Sequence, residues 1–268
     1  MKEGIKVVKR YTLIIIAAVV AALLFLPVTS SAAQSTDIHI EPNLLAISAT
    51  YNGGEVTVSG EIPADTEVVI RLTGEQQDTH LLKKSRVFGI LWMNTGMITF
   101  HDVPKAYMIY LPAGITESDL SQGPLLQNLG IGFDALKKKI VLSPVEEDKD
   151  FQFQEFIKLK SKEGLYSISE NAISCKNTQN QMKTFTCAMK IPSSMPQGEF
   201  TVTTFIMKGD QAIEAGTQQL RIKETGLPAM ISVLAFNHGA LYGILATLIA
   251  LGAGLMTGII FKGGKGGH

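Results

Sequence analysis

Two cysteines, five histidines and a single tryptophan are the residues of this 268-residue chain on which chemistry could most readily be built. Cys175 and Cys187 flank the polar run 176–182. Period-2 counting puts Ile173 and Cys175 on one strand face, and Phe185, Cys187, Met189 and Ile191 on the face of another. If those strands pair antiparallel about the run, the cysteines lie opposite each other, and a disulfide there stabilises by roughly 3 kcal/mol in the chain-entropy model. A redox or metal-binding pair is the alternative. The spacing is not CxxC and no histidine lies close in sequence, so a structural disulfide is expected.

His39, His80, His101, His238 and His268 form neither HExxH nor HxH, and no GxSxG or GxGxxG stands between a strand and a helix. His101-Asp102, with Met93 and Met97 upstream, is the one local group with soft-metal character. A hairpin turn flanked by the methionines and a Val-Pro corner after Asp102 explain it structurally. No catalytic, cofactor-binding or metal-ligating residue can be nominated, so no enzyme and no cofactor are expected.

The elements that would position these residues are mostly strands. From 34 to 112 the chain alternates apolar and polar residues in short runs such as EVTVSGEI (55–62), TEVVIRL (66–72) and RVFGILWM (86–93), with turns at Asn52-Gly53 and Asn94-Thr95-Gly96. Residues 113–164 read as a helical insert. Thr116 and Asp119 resemble a capping box, Gly123-Pro124 interrupts, and a helix after Pro144 carries Glu146, Glu147 and Asp148 in its first turn, with Gly164 to cap its end. Strand signals return over 165–227 in LYSIS, NAISC, FTCAMKI, FTVTTFIM and QQLRIK. The expected fold is mainly β: an immunoglobulin-like antiparallel β-sandwich with a helical insert, followed by a juxtamembrane piece (228–238).

Both ends are apolar. Residues 1–33 have a basic start, an uncharged stretch Leu13 to Val28 and a small-residue run, the pattern of a signal peptide cut after Ala33. Residues 239–261 carry no charge over a length that crosses a hydrocarbon core of ~30 Å. Lys262 and Lys265 in the tail 262–268 put it in the cytoplasm by the positive-inside rule. This predicts a single-pass protein of the cytoplasmic (inner) membrane, with its N-terminal domain in the periplasm or extracytoplasmic space. Ala246, Ala250, Gly254 and Gly258 recur every four residues as one stripe for pairing with a membrane partner or with a second copy in a homodimer. Without the two ends, 18 basic residues face 23 acidic ones. A mildly acidic middle argues against nucleic acid as a partner.

RVFGILWMN (86–94), FHDVP (100–104) with Tyr107, FIKLKSKEGLY (156–166), PQGEFTV (196–202) and the apolar C-terminal helix together resemble an uncharacterised bacterial family of transmembrane proteins of the alphaproteobacterial type. The resemblance implies a single-pass protein with an exported domain, often encoded beside multi-pass permeases of the sulfite-exporter type, and supplies no catalytic residues. The PQGEFTV stretch also resembles the final hairpin of immunoglobulin-like sandwiches, a likeness of fold alone.

The functional expectation is a non-enzymatic accessory module assisting a neighbouring permease, with export of sulfite or another sulfur compound as the implied process. The alternative is a small-ligand binding or sensing domain with a pocket lined by Arg86, Trp92 and Tyr107. An exported hydrolase is the weakest reading, because no titratable groups converge.

Overall fold

Period-2 alternation becomes strand burial directly. In Gly54–Pro63 (β3), Val56, Val58, Gly60 and Ile62 point into the core while Thr57, Ser59 and Glu61 face outward. Glu67–Gly74 (β4) and Tyr107–Pro112 (β7) are instead near-continuous apolar runs, and β7 is buried at all six positions, as a strand covered on both faces must be. The computed structural model describes residues 37–122, 124–144, 148–178, 181–209 and 211–262. The expected signal peptide lies outside the described residues, as do Lys265 and, from the first turn of the expected helix, Glu146 and Glu147.

Among the described residues nine strands share one sheet. Besides β3, β4 and β7 these are Ile38–Glu41 (β1), Leu44–Ile47 (β2), Tyr166–Asn177 (β9), Met182–Ile191 (β10), Gly198–Lys208 (β11) and Gln211–Glu224 (β12), in the order β1-β3-β10-β9-β7-β4-β11-β12-β2. The chain is mainly β, with a large sheet and one C-terminal apolar helix. The finer expectation, an immunoglobulin-like sandwich of antiparallel strands, is not what the pairings form. β7 with β9 and β12 with β2 are parallel, and the β7–β9 pair joins the strands into one continuous order. Parallel neighbours need a crossover connection of a dozen or more residues. The helical insert is that crossover.

The sheet curls until its ends meet. β1 lies against β12, where Gln218 Nε2 donates to Ile38 O at 2.9 Å and the side chain of Ile38 fills the space beside Gly216. Phe185 and Phe200 are fully buried on the sheet's inner face, and Phe205 is buried on the opposite face of β11, beside Arg71.

The crossover holds the short helices Glu117–Gln122 (α1), Pro124–Asn128 (α2) and Phe133–Lys139 (α3), the strand Val141–Ser143 (β8) and the helix Lys149–Lys162 (α4). Asp148 caps α4, accepting from Phe151 N–H at 2.9 Å. Gly164, at φ +73°, ends it in a Schellman arrangement, with Gly164 N–H to Ser161 O and Leu165 N–H to Lys160 O. The ring of Phe156 stacks on Phe100 at 4.4 Å and meets Tyr166 edge-on at 5.6 Å, so the inner face of α4 is fixed by aromatic contacts.

A second sheet contains Gln76–Val87 (β5), Leu91–Pro104 (β6) and β8. β5 and β6 form an antiparallel hairpin whose base pairs Gln76 with Pro104. One step inward, Gly74 N–H donates to Ala106 O and Lys105 N–H to Glu75 O, and then Thr73 pairs with Tyr107 in the large sheet. The hairpin is therefore the outward continuation of the β4–β7 pair.

The C-terminal part leaves β12 through Gly226 into Leu227–Asn237 (α5) and Gly239–Lys262 (α6). Among the described residues, Gly239–Phe261 is the one helix long and apolar enough to cross a membrane, and none of its apolar window is buried.

Candidate functional site

The residues nominated for a pocket do not converge. Arg86 and Trp92 are cross-strand partners near the tip of the β5–β6 hairpin, with the guanidinium 5.2 Å from the ring centroid. Tyr107 sits in the core at the start of β7. Its hydroxyl donates to Gly130 O at 3.0 Å and accepts from Gly132 N–H at 3.1 Å. The neighbouring Arg71 Nη1 donates to Leu129 O and Gly130 O, and its guanidinium lies 4.9 Å from the Phe205 ring centroid. Burial pushes the Tyr107 phenol above its ordinary value, an effect the Arg71 charge opposes. Arg71 and Tyr107 thus clamp the loop between α2 and α3, which passes through positive φ at Gly130 and Gly132. This is a structural hub, and nothing in the local sequence marked Arg71 as part of it.

The cysteines are a correction. Both are free, Cys175 exposed and Cys187 buried. Thr178 N–H donates to Met182 O, and from that turn the register runs so that Cys175 faces Phe185 while Cys187 faces Ile173. The strands do pair antiparallel, but the cysteines are diagonal neighbours, roughly 7 Å apart at Cβ. A disulfide needs about 3.5–4.5 Å. Burial pushes the Cys187 thiol up to about 12. A thiol so protonated is a poor nucleophile and a poor metal ligand.

At the base of the hairpin, His101 Nδ1 donates to Asp78 Oδ2 at 2.9 Å, and Asp78 Oδ1 accepts from Asp102 N–H at 3.2 Å. The His101 hydrogen bond, followed by the one from Asp102, holds the Asp78 carboxyl below the usual range. Asp102 itself has φ +54°, and these bonds pin that turn of the chain. His80 Nδ1 is 2.9 Å from Thr99 Oγ1. Met97 pairs with Leu82 and Met93 with Ser85 farther up the hairpin, at different levels from His101. Among the described residues no group of three or more His, Cys, Asp or Glu side chains is placed to hold a metal ion.

What the sequence reading missed is how bare the hairpin is. Phe88 is 92% exposed, Ile90 82% and Trp92 64%, with Leu82, Leu91, Met93 and Met97 also open to solvent. The run RVFGILWM carried the right period for strands and no signal that neither face would be covered. On α6 the stripe Ala246, Ala250, Gly254 and Gly258 is exposed, and among the described residues nothing lies within 4 Å of a Cβ placed on Gly254 or Gly258.

A family profile described as "Putative transmembrane protein" (Alph_Pro_TM) matches residues 37–263, which takes in the sheet, the crossover, the hairpin and α6. The chain belongs to this family. No curated protein and no solved structure matches it. Membership of the Alph_Pro_TM family and the apolar α6 agree that the chain is a membrane protein anchored near its C-terminus.

Proposed function

We propose that this protein is a non-enzymatic accessory module that holds or regulates a neighbouring multi-pass permease. The observation that carries the reading is the state of α6, apolar from Gly239 to Phe261 and exposed, with its small residues in one stripe. Lipid supplies no hydrophobic drive for helix association, so close packing along Gly and Ala is the principal source of contact. The signal pattern of residues 1–33 and the lysines after Phe261 support an exported sheet domain on the inner membrane with a cytoplasmic tail. The family resemblance points to a sulfite-exporter type of permease, and a second copy of this chain is the competing occupant of the stripe. Gly254→Leu with Gly258→Leu is expected to reduce co-purification with the permease and lower its transport, while the sheet domain stays folded. Unchanged co-purification and transport when α6 is exchanged for an unrelated anchor would refute the reading.

One observation favours small-ligand binding as a second reading. A half-open groove of about 400 Å³ beside β7, β9 and β10 is lined by Met108, Tyr110, Ser167, Ser169 and Lys190, among others. It offers hydroxyls and one cation to a small oxyanion. A thermal-shift response to sulfite or thiosulfate that disappears in Lys190→Ala would favour this reading over the first.

A further inference from the structure

Strand register fixes which end of the sheet faces the membrane anchor. β12 runs into α5 and α6, so its last residues mark that end. Ile222 pairs with Gly198 at the start of β11, and Phe200 pairs in turn with Gly74 at the end of β4. The end of β4, where the chain passes into β5, is therefore at the same end of the sheet as the exit to α6. The β5–β6 hairpin continues the β4–β7 pair beyond that end. Its 12-residue first strand reaches roughly 40 Å at ~3.3 Å per residue, against about 16 Å for the 11 residues of α5. The hairpin is long enough to cover the separation that α5 opens between sheet and bilayer.

The hairpin's composition is graded along this length. Its base is covered: β8 pairs with β6 at Thr99 to His101, and Phe100 stacks on Phe156. From Leu82 to Met97 no residue is buried. The outermost part carries Phe88, Ile90, Leu91, Trp92 and Met93. Arg86 stands level with Trp92, Lys83 and Lys84 stand behind, and no acidic residue occurs between Asp78 and Asp102. A two-stranded ribbon is marginal in water by itself, and an exposed apolar patch of this kind marks an interaction surface. Aromatic side chains at the tip and a basic collar behind them match the headgroup layer of an anionic leaflet, where indole rings settle and Lys and Arg gain from the surface potential.

We infer that the tip of the β5–β6 hairpin is a second membrane contact, seated in the headgroup region of the leaflet that faces the sheet domain. Two contacts, α6 and the tip, then hold the membrane end of the sheet against the bilayer. The inference does not depend on the permease reading, because it concerns lipid alone.

Trp92 is the single tryptophan of the chain and lies within the tip, so its fluorescence reports this contact without labelling. The full chain is reconstituted at one copy per nanodisc in phosphatidylcholine and phosphatidylglycerol, with and without lipid brominated near the headgroup end of its acyl chain. Expected are a shift of Trp92 emission to shorter wavelength, quenching by the brominated lipid and protection from aqueous iodide. Phe88→Asn with Ile90→Ser should lose all three, and since Asn tolerates the φ of +55° at position 88, the circular dichroism spectrum should not change. Free access of iodide to Trp92 with no quenching by brominated lipid would overturn the inference. Protection from iodide without quenching by brominated lipid would overturn it too, by showing that protein covers the tip.

Discussion

The hydroxyl of Tyr107 serves two backbone groups of the crossover, donating to Gly130 O and accepting from Gly132 N–H. Tyr107→Phe keeps the ring and orphans that buried N–H, while Gly130 O retains Arg71. The expected cost is about 1–3 kcal/mol, read by denaturant unfolding. Tyr110→Phe removes only a weak contact with Met108 Sδ at 3.5 Å and should cost less. The thiols make a second residue-scale prediction. Under native conditions at neutral pH a maleimide should modify Cys175 and spare Cys187, unfolding should expose both, and mapping without reductant should find no linked peptide. Neither outcome was legible in the sequence, for one reason. Residue type and face could be counted, but Tyr107 finds its partners 23 and 25 positions away, and the pairing of Cys175 depends on where the 178–182 turn closes. A shift of two residues in that register separates a disulfide from two free thiols.

At the scale of elements the sequence was a better guide, because alternation and caps are local. The runs at 55–62, 66–72 and 106–111 lie on β3, β4 and β7, and Gly164 stands where α4 is capped, while Asp148, expected in the first turn, is instead its N-cap. Pairing direction is not local. The parallel β7–β9 contact is decided by the crossover between them, and alternation reads the same for parallel and antiparallel neighbours. The edge strand β1 supplies a test of how closely these elements approach. A Cβ on Gly60 would stand 2.8 Å from Asp37 O and 2.9 Å from the Phe185 ring, which is fully buried and cannot yield. Gly60→Ala should therefore strain the β1–β3 pairing and destabilise by about 1–3 kcal/mol, with faster amide exchange in Ile38–Glu41. Gly96→Ala, where nothing lies within 4 Å, is the control and should leave stability nearly unchanged.

For the molecule as a whole, what matters is which parts are built for folding and which for contact. The core runs from the curled sheet through Phe100 and Phe156 into α4, and it ends at Ile98 on the hairpin. Residues 82–97 add nothing buried to it. Replacing them with Asn-Gly would close the ribbon directly at the Leu81–Ile98 pair with the two-residue turn that antiparallel strands favour, and would leave the Asp78–His101 contact in place. The shortened loop loses less closure entropy, and the removed side chains were already in water, so the unfolding free energy should change by no more than about 1 kcal/mol. Denaturant titration of the detergent-solubilised chain measures this directly. A much larger loss would mean that the tip packs on the protein itself and is no free surface. With stability preserved, the ribbon is assigned to contact and not to folding, because an extension of this length and composition that folding does not require must be explained by what it touches.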